Sequence, residues 1–227
     1  MKNNLFIISF LVLNFCTALA QKESDSLTLS INLKWKNQPL EINTKYISKN
    51  NDTLQISQLK FYLSDIQILF EDEFLFKEIK HHLINMEELH SMNIPITKKH
   101  KKIKTISFSV GVDSLASVSG ALSGDLDPSN GMYWAWQSGY INMKIEGISS
   151  SCKTRKNAFH FHIGGYLEPN YALRKVTLYP TSENLELEMD LAKLFDNLLL
   201  SETNSIMIPG KEAMEIADLS AQIFSCK

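Results

Sequence analysis

The feature that most constrains this chain is an alternation of apolar and polar residues with a period of two. Leu27, Leu29, Ile31, Leu33 and Trp35 are separated by mostly polar residues, as a strand with one buried face requires. Ile141, Met143 and Ile145 repeat the pattern, and so do Leu185, Leu187 and Met189. Ile103 to Val112 alternates as well, and Ala158 to Ile163 and Leu173 to Tyr179 read as further strands. Ile56 to Phe70 is longer and rich in aromatic and β-branched side chains. Phe61, Leu63, Asp65 and Gln67 cannot all face one core, so a single strand broken near Ser64-Asp65 is expected. The sum is roughly seven to nine strands, the count of a sandwich. The expected fold is therefore all-β: an immunoglobulin-like β-sandwich of antiparallel strands.

Helical signals are few. Ser114 to Ser123 suits a short helical or irregular segment, and Leu191 to Leu200 a turn or two of helix. Pro209-Gly210 precedes Lys211 to Phe224, where Ala213, Ile216, Ala217, Leu219, Ala221 and Ile223 give a partial apolar face. That spacing predicts a short C-terminal helix. The Lys98-Lys99-His100-Lys101-Lys102 run reads as a solvated hairpin or loop, with an electrostatic docking patch as the other reading.

Ahead of the first strand, Lys2, the apolar run Leu5 to Phe15 and Thr17-Ala18-Leu19-Ala20 have the order of an export signal. Residues 1–20 are expected to be a signal peptide cleaved before Gln21. Its apolar core is too short for a bilayer, which needs about 20 residues. Phe15 stands where a lipobox before Cys16 needs a small residue, so a soluble periplasmic or secreted product is expected. Residues 21–227, about 207 in number, suffice for a single domain with a sizeable core.

No later apolar run is long enough for a membrane span. The chain carries 23 Lys and Arg against 25 Asp and Glu, a formal net charge of −2, and lacks the basic bias of nucleic-acid binders. After cleavage Cys152 and Cys226 remain; they either pair in an oxidising compartment or stay separate thiols.

Two segments carry chemistry. In Phe159-His160-Phe161-His162-Ile163-Gly164-Gly165 the two histidines fall on one face of a strand, their Cα atoms about 6.5–7 Å apart. Imidazoles so placed can share copper, zinc, nickel or iron; a histidine in a polar core network beside an exposed one is the plainer reading. The second segment runs from Gly124 to Tyr140. Asp127-Pro128 and Asn130-Gly131 mark turns, and two of the chain's three tryptophans, Trp134 and Trp136, follow. If extended, the two indoles share a face, as a core plug or as a platform for a glycan or protein. Asp125 and Asp127 suggest calcium, but the glycine and the closing glutamate of an EF-hand loop are out of place.

His81 and His82, as strand neighbours, point to opposite faces and should not share a metal. No Gly-x-Ser-x-Gly, His-Glu-x-x-His or phosphate-binding glycine loop occurs, so a non-enzymatic binding protein is expected.

Five stretches, in this order, resemble the MbnP-like family, named after a protein of the methanobactin operons. They are Leu59 to Ile66, Phe108 to Asp113, Leu126-Asp127-Pro128, Gly131 to Tyr140 and Phe161 to Gly165. The likeness is to the Bacteroidetes-type branch. It implies an exported β-sandwich that binds copper, with His162 on the family's His-Gly motif as a ligand; His160, two residues before it in this sequence, is a supporting candidate. It also implies conversion of a tryptophan, Trp134 or Trp136, to kynurenine by a partner MauG-like dihaem peroxidase. The chain has no Cys-x-x-Cys-His haem attachment of its own. Met132 is a candidate accessory ligand, since thioethers suit Cu(I). A metal-free sandwich that contacts a protein or glycan through its aromatic loop is the alternative.

Overall fold

The computed structural model describes residues 26–98, 102–137, 139–182 and 185–226. The expected leader, residues 1–20, and positions 99–101 of the lysine run lie outside them. The chain begins with β1 (Ser26–Trp35), β2 (Gln38–Pro39), β3 (Lys45–Ile47), β4 (Thr53–Phe70), β5 (Leu75–Asn85), β6 (Asn93–Lys98), β7 (Ile103–Val110) and helix α1 (Ser114–Val118). It continues with β8 (Tyr133–Trp134), β9 (Gly139–Ser149), β10 (Ala158–Gly164), β11 (Arg174–Leu178), β12 (Glu186–Asp190), α2 (Leu191–Phe195), β13 (Ser205–Ile206), α3 (Lys211–Ala221) and β14 (Phe224–Cys226). No helix among the described residues is long and apolar enough to cross a membrane.

The strands form an all-β sandwich. The smaller sheet runs β14-β12-β1-β2, with β6 also paired to β1. The larger runs β11-β7-β4-β9-β10-β13, with β3 and β5 on β4 and β8 on β9. One apolar core joins them: Leu29 and Ile31 of β1 and Leu187 and Met189 of β12 meet Phe61, Phe108, Ile145, Phe159 and Phe161 of the larger sheet. Leu194 and Phe195 of α2 and Ala213 and Ile216 of α3 close it, so these two helices serve as plugs.

Three differences from the sequence reading have physical causes. The pairings β1–β12 and β10–β13 are parallel, not antiparallel. Parallel neighbours need long connections, and most of the chain lies between β1 and β12. The edge strand β5, paired to β4 alone, is half exposed along most of its length and so has no clean alternation. β6 and β7 belong to different sheets, so of the hairpin and loop expected around the lysine run a β6–β7 hairpin does not form.

The expected break in β4 is a bulge. Asp65 has φ +47° and pairing shifts register between Ser64 and Ile66. The extra residue lets Phe61 and Leu63 before it, and Ile66 and Ile68 after it, all reach the core. Cys152 is buried, Cys226 is partly buried, and both are free thiols.

A second apolar cluster covers part of the larger sheet's outer face: Tyr62, Val112, Ala116, Leu126, Met132, Trp134, Tyr140 and Ile141. It lies under the segment that crosses from β7 to β9.

Gly147 shows how closely the central strands approach. A Cβ there would lie 2.1 Å from the Gln55 carbonyl oxygen and 2.5 Å from the Phe159 ring. Gly147→Ala is expected to lower the unfolding free energy by about 1–3 kcal/mol, the usual cost of overpacking. A urea titration would read it, and an unchanged midpoint would mean that the strands yield.

Candidate metal centre

β9 and β10 are antiparallel neighbours in which Glu146 lies opposite His160 and Lys144 opposite His162. Met143 and Ile145 on one strand, and Phe159, Phe161 and Ile163 on the other, point into the core. Alternation therefore sends Lys144, Glu146, His160 and His162 to the outer face. β9 is buried on both sides from Gly139 to Met143 and on one side only beyond it. β10 changes in the opposite sense, half-buried outward at His160 and fully buried from Phe161 to Gly164. The polar group sits where the outer cover ends.

The imidazole centroids of His160 and His162 are 6.4 Å apart. Oε1 of Glu146 lies 2.7 Å from Nε2 of His162 and 4.0 Å from Nδ1 of His160. One donor atom from each residue falls within 4.8 Å of the others, and this is the one such group of three His, Cys, Asp or Glu among the described residues. Nitrogen and oxygen donors bind zinc-sized ions at about 2.0–2.2 Å, so donors around one ion stand roughly 3–3.6 Å apart. At up to 4.8 Å the three donors stand wider apart than that, and a bound ion would draw them together. Two imidazoles and a carboxylate suit a late transition metal.

Local electrostatics favour the neutral imidazole of His162 and the carboxylate of Glu146. Burial pushes the His162 imidazole below its usual 6.5, and the Lys144 charge acts in the same sense; the bond to Glu146 opposes both but does not prevail. Burial works to raise the Glu146 carboxyl, yet the His162 hydrogen bond and the Lys144 ammonium outweigh it and hold it below 4.5. Near neutrality the pair is a neutral imidazole beside a carboxylate. In that state the Nε2–H of His162 donates to Glu146, a tautomer assigned from its partner.

The turn segment is tied onto this face. Tyr62 Oη donates to the Asp125 carbonyl at 2.9 Å and Lys60 Nζ to that of Asn130 at 3.1 Å. Lys144 Nζ donates to the Gly131 carbonyl at 3.4 Å. Trp134, in β8, pairs with Gly139 of β9. Its six-membered ring rests on Gly164, where a Cβ would come within 2.8 Å of it. The indole thus packs on the strand that carries both histidines, two residues beyond His162.

A family model of MbnP matches residues 24–208. The chain belongs to the MbnP family. The solved structure of MbnP from Methylosinus trichosporium is similar in fold, with a TM-score of 0.60 at 11% identity over 82% of each chain. No match was found among curated proteins.

In this MbnP-family chain, His160 and His162 share a face as their spacing predicts, and Trp134 lies near them. Trp134 and Trp136 do not share a face. β8 ends at Trp134, Ala135 to Gln137 turn, and Trp134 is 6% exposed against 63% for Trp136. Their rings remain 5.9 Å apart. Met132 is fully buried in the outer cluster that also holds Trp134.

The carboxylates of Asp125 and Asp127 accept from the backbone N–H groups of Leu83 and Ser129. His81 and His82 have separate partners, Asp113 and Glu78. Sequence reading missed Glu146. Its signal was the polar phase of the Ile141-Met143-Ile145 strand, which becomes informative only once that strand is known to pair with the histidine strand.

The lowered pKa of His162 sets a pH dependence. Its neutral form is favoured by folding, so its contribution to stability is full above the unfolded value of 6.5 and is lost as pH falls through the lower folded value. Metal-free protein should therefore lose melting temperature below about pH 6.5, and His162→Gln should flatten that slope. An identical slope in the variant would assign the loss to other groups.

Proposed function

We propose that this protein is an exported, non-enzymatic copper-binding protein of the periplasm or cell exterior. His162, His160 and Glu146 supply the ligands. The observation that carries the reading is the convergence of two imidazoles and one carboxylate at a single half-covered spot beside Trp134. Imidazole accommodates both oxidation states of copper. Bound copper would supply a redox-active or transferable ion; the chain's own part is to orient the ligands, favour neutral His162 and ionised Glu146, and restrict water.

We further propose that a partner MauG-like dihaem peroxidase converts Trp134 to kynurenine, two peroxides being reduced as the indole ring opens and the C2 carbon leaving as formate on hydrolysis. Ring opening leaves an aryl amine and a ketone, either able to approach a metal as an intact indole cannot. Trp134 is the tryptophan packed on the histidine strand, and the exposed Trp136 offers the partner a contact.

Exposure of Trp136 also supports a second reading, a metal-free module that grips a protein or glycan by its aromatic loop. Copper content of protein purified from its native host, measured by mass spectrometry, separates the two. His162→Ala or Glu146→Gln should weaken copper retention by about tenfold or more. Native protein should be heavier than its leader-free sequence by about 4 Da, one carbon lost and one oxygen gained. Metal-free protein that takes up no copper at micromolar concentration would rule the first reading out.

A further inference from the structure

Resting on the copper reading, we infer that Lys144 is a specificity-determining residue that biases this site against divalent ions and toward monovalent copper. The basis is the charge arrangement on the outer face of β4, β9 and β10. Register places Lys60, Lys144 and His162 in one row across the three strands, and Gln58, Glu146 and His160 in the next. The candidate ligands therefore have one carboxylate, and that carboxylate is already shared. Lys144 Nζ stands 3.4 Å from Glu146 Oε1, the same oxygen that faces both histidines.

The Lys144 ammonium is held in place. It also donates to the Gly131 carbonyl, and the Lys144 and Glu146 side chains are only 16% and 26% exposed. Lys60 is anchored one strand away on Asn130. Since an imidazole must be neutral to ligate a metal, the ligand set and its neighbour carry the charges of Glu146 and Lys144, which sum to zero, and Lys60 adds a further positive one.

A site for a hard divalent cation is built the other way, from several oxygen ligands and surplus negative charge. Here an incoming ion meets a fixed cation at close range. The repulsion is twice as large for a doubly charged ion as for a singly charged one at the same position. The imidazoles still offer nitrogen donors that bind copper without a charge requirement. The arrangement thus penalises Zn(II) and Cu(II) relative to Cu(I), through a residue that is not itself a ligand.

The test compares dissociation constants for Cu(I), measured anaerobically against a chromophoric chelator, with those for Zn(II) and Cu(II). Wild type, Lys144→Gln and Lys144→Arg are compared, with folding checked by circular dichroism. Lys144→Gln should tighten Zn(II) and Cu(II) by about tenfold or more relative to Cu(I), and Lys144→Arg should keep the wild-type ratio. If Lys144→Gln does not fold, Lys144→Met, which keeps most of the aliphatic stem, carries the same comparison. An unchanged ratio in a folded, uncharged variant overturns the inference while leaving copper binding standing. Wild-type protein that binds none of the three ions overturns both.

Discussion

The central strands of the larger sheet must bury two faces at once, and the rest of the molecule is arranged around that requirement. Their inner faces close on the smaller sheet through Phe61, Ile145, Phe159 and Phe161. Their outer faces are covered at one end only, by the cluster of Tyr62, Met132, Trp134 and Tyr140. A polar side chain deep under that cover would need a full set of partners, and one far outside it would be ordinary surface. At the boundary, Glu146 and His162 are desolvated enough to interact strongly and open enough to be reached.

The same boundary explains why the turn segment from Gly124 to Trp134 is so firmly tied down. Its backbone carbonyls accept from Tyr62, Lys60 and Lys144, all outward-facing residues of the strands beneath. Part of the polarity that would be costly near the apolar cluster is thereby satisfied. Trp134 takes its position from this tether and from the missing side chain at Gly164. Cover, tether and ligand face form one unit, and a change in any of them alters the desolvation that keeps His162 neutral.

Much of the architecture was legible in the chain because period-two alternation reports directly on one-sided burial. The strands around Leu29, Phe108, Ile145, Phe161 and Leu187 were visible for that reason, and the three helices by their small or apolar spacing. β5 was hidden because an edge strand with little burial carries no alternation. The parallel neighbours of β1 and β10 were hidden because pairing direction depends on what lies between strands, which local pattern does not encode. Whether Trp134 and Trp136 share a face was left open by the sequence, because it depends on the segment staying extended, and the backbone turns after Trp134.

By itself the sequence determined that the chain builds sheets, which residues of each strand face inward, and that His160 and His162 project together from one of them. Side-chain direction along a strand follows from covalent geometry, so these conclusions needed no knowledge of neighbours. Only the tertiary structure decided that β9 lies against β10 in the register that sets Glu146 between the histidines and Lys144 beside it. Register is a contest among distant segments for a common core, and no local stretch of the chain contains the outcome.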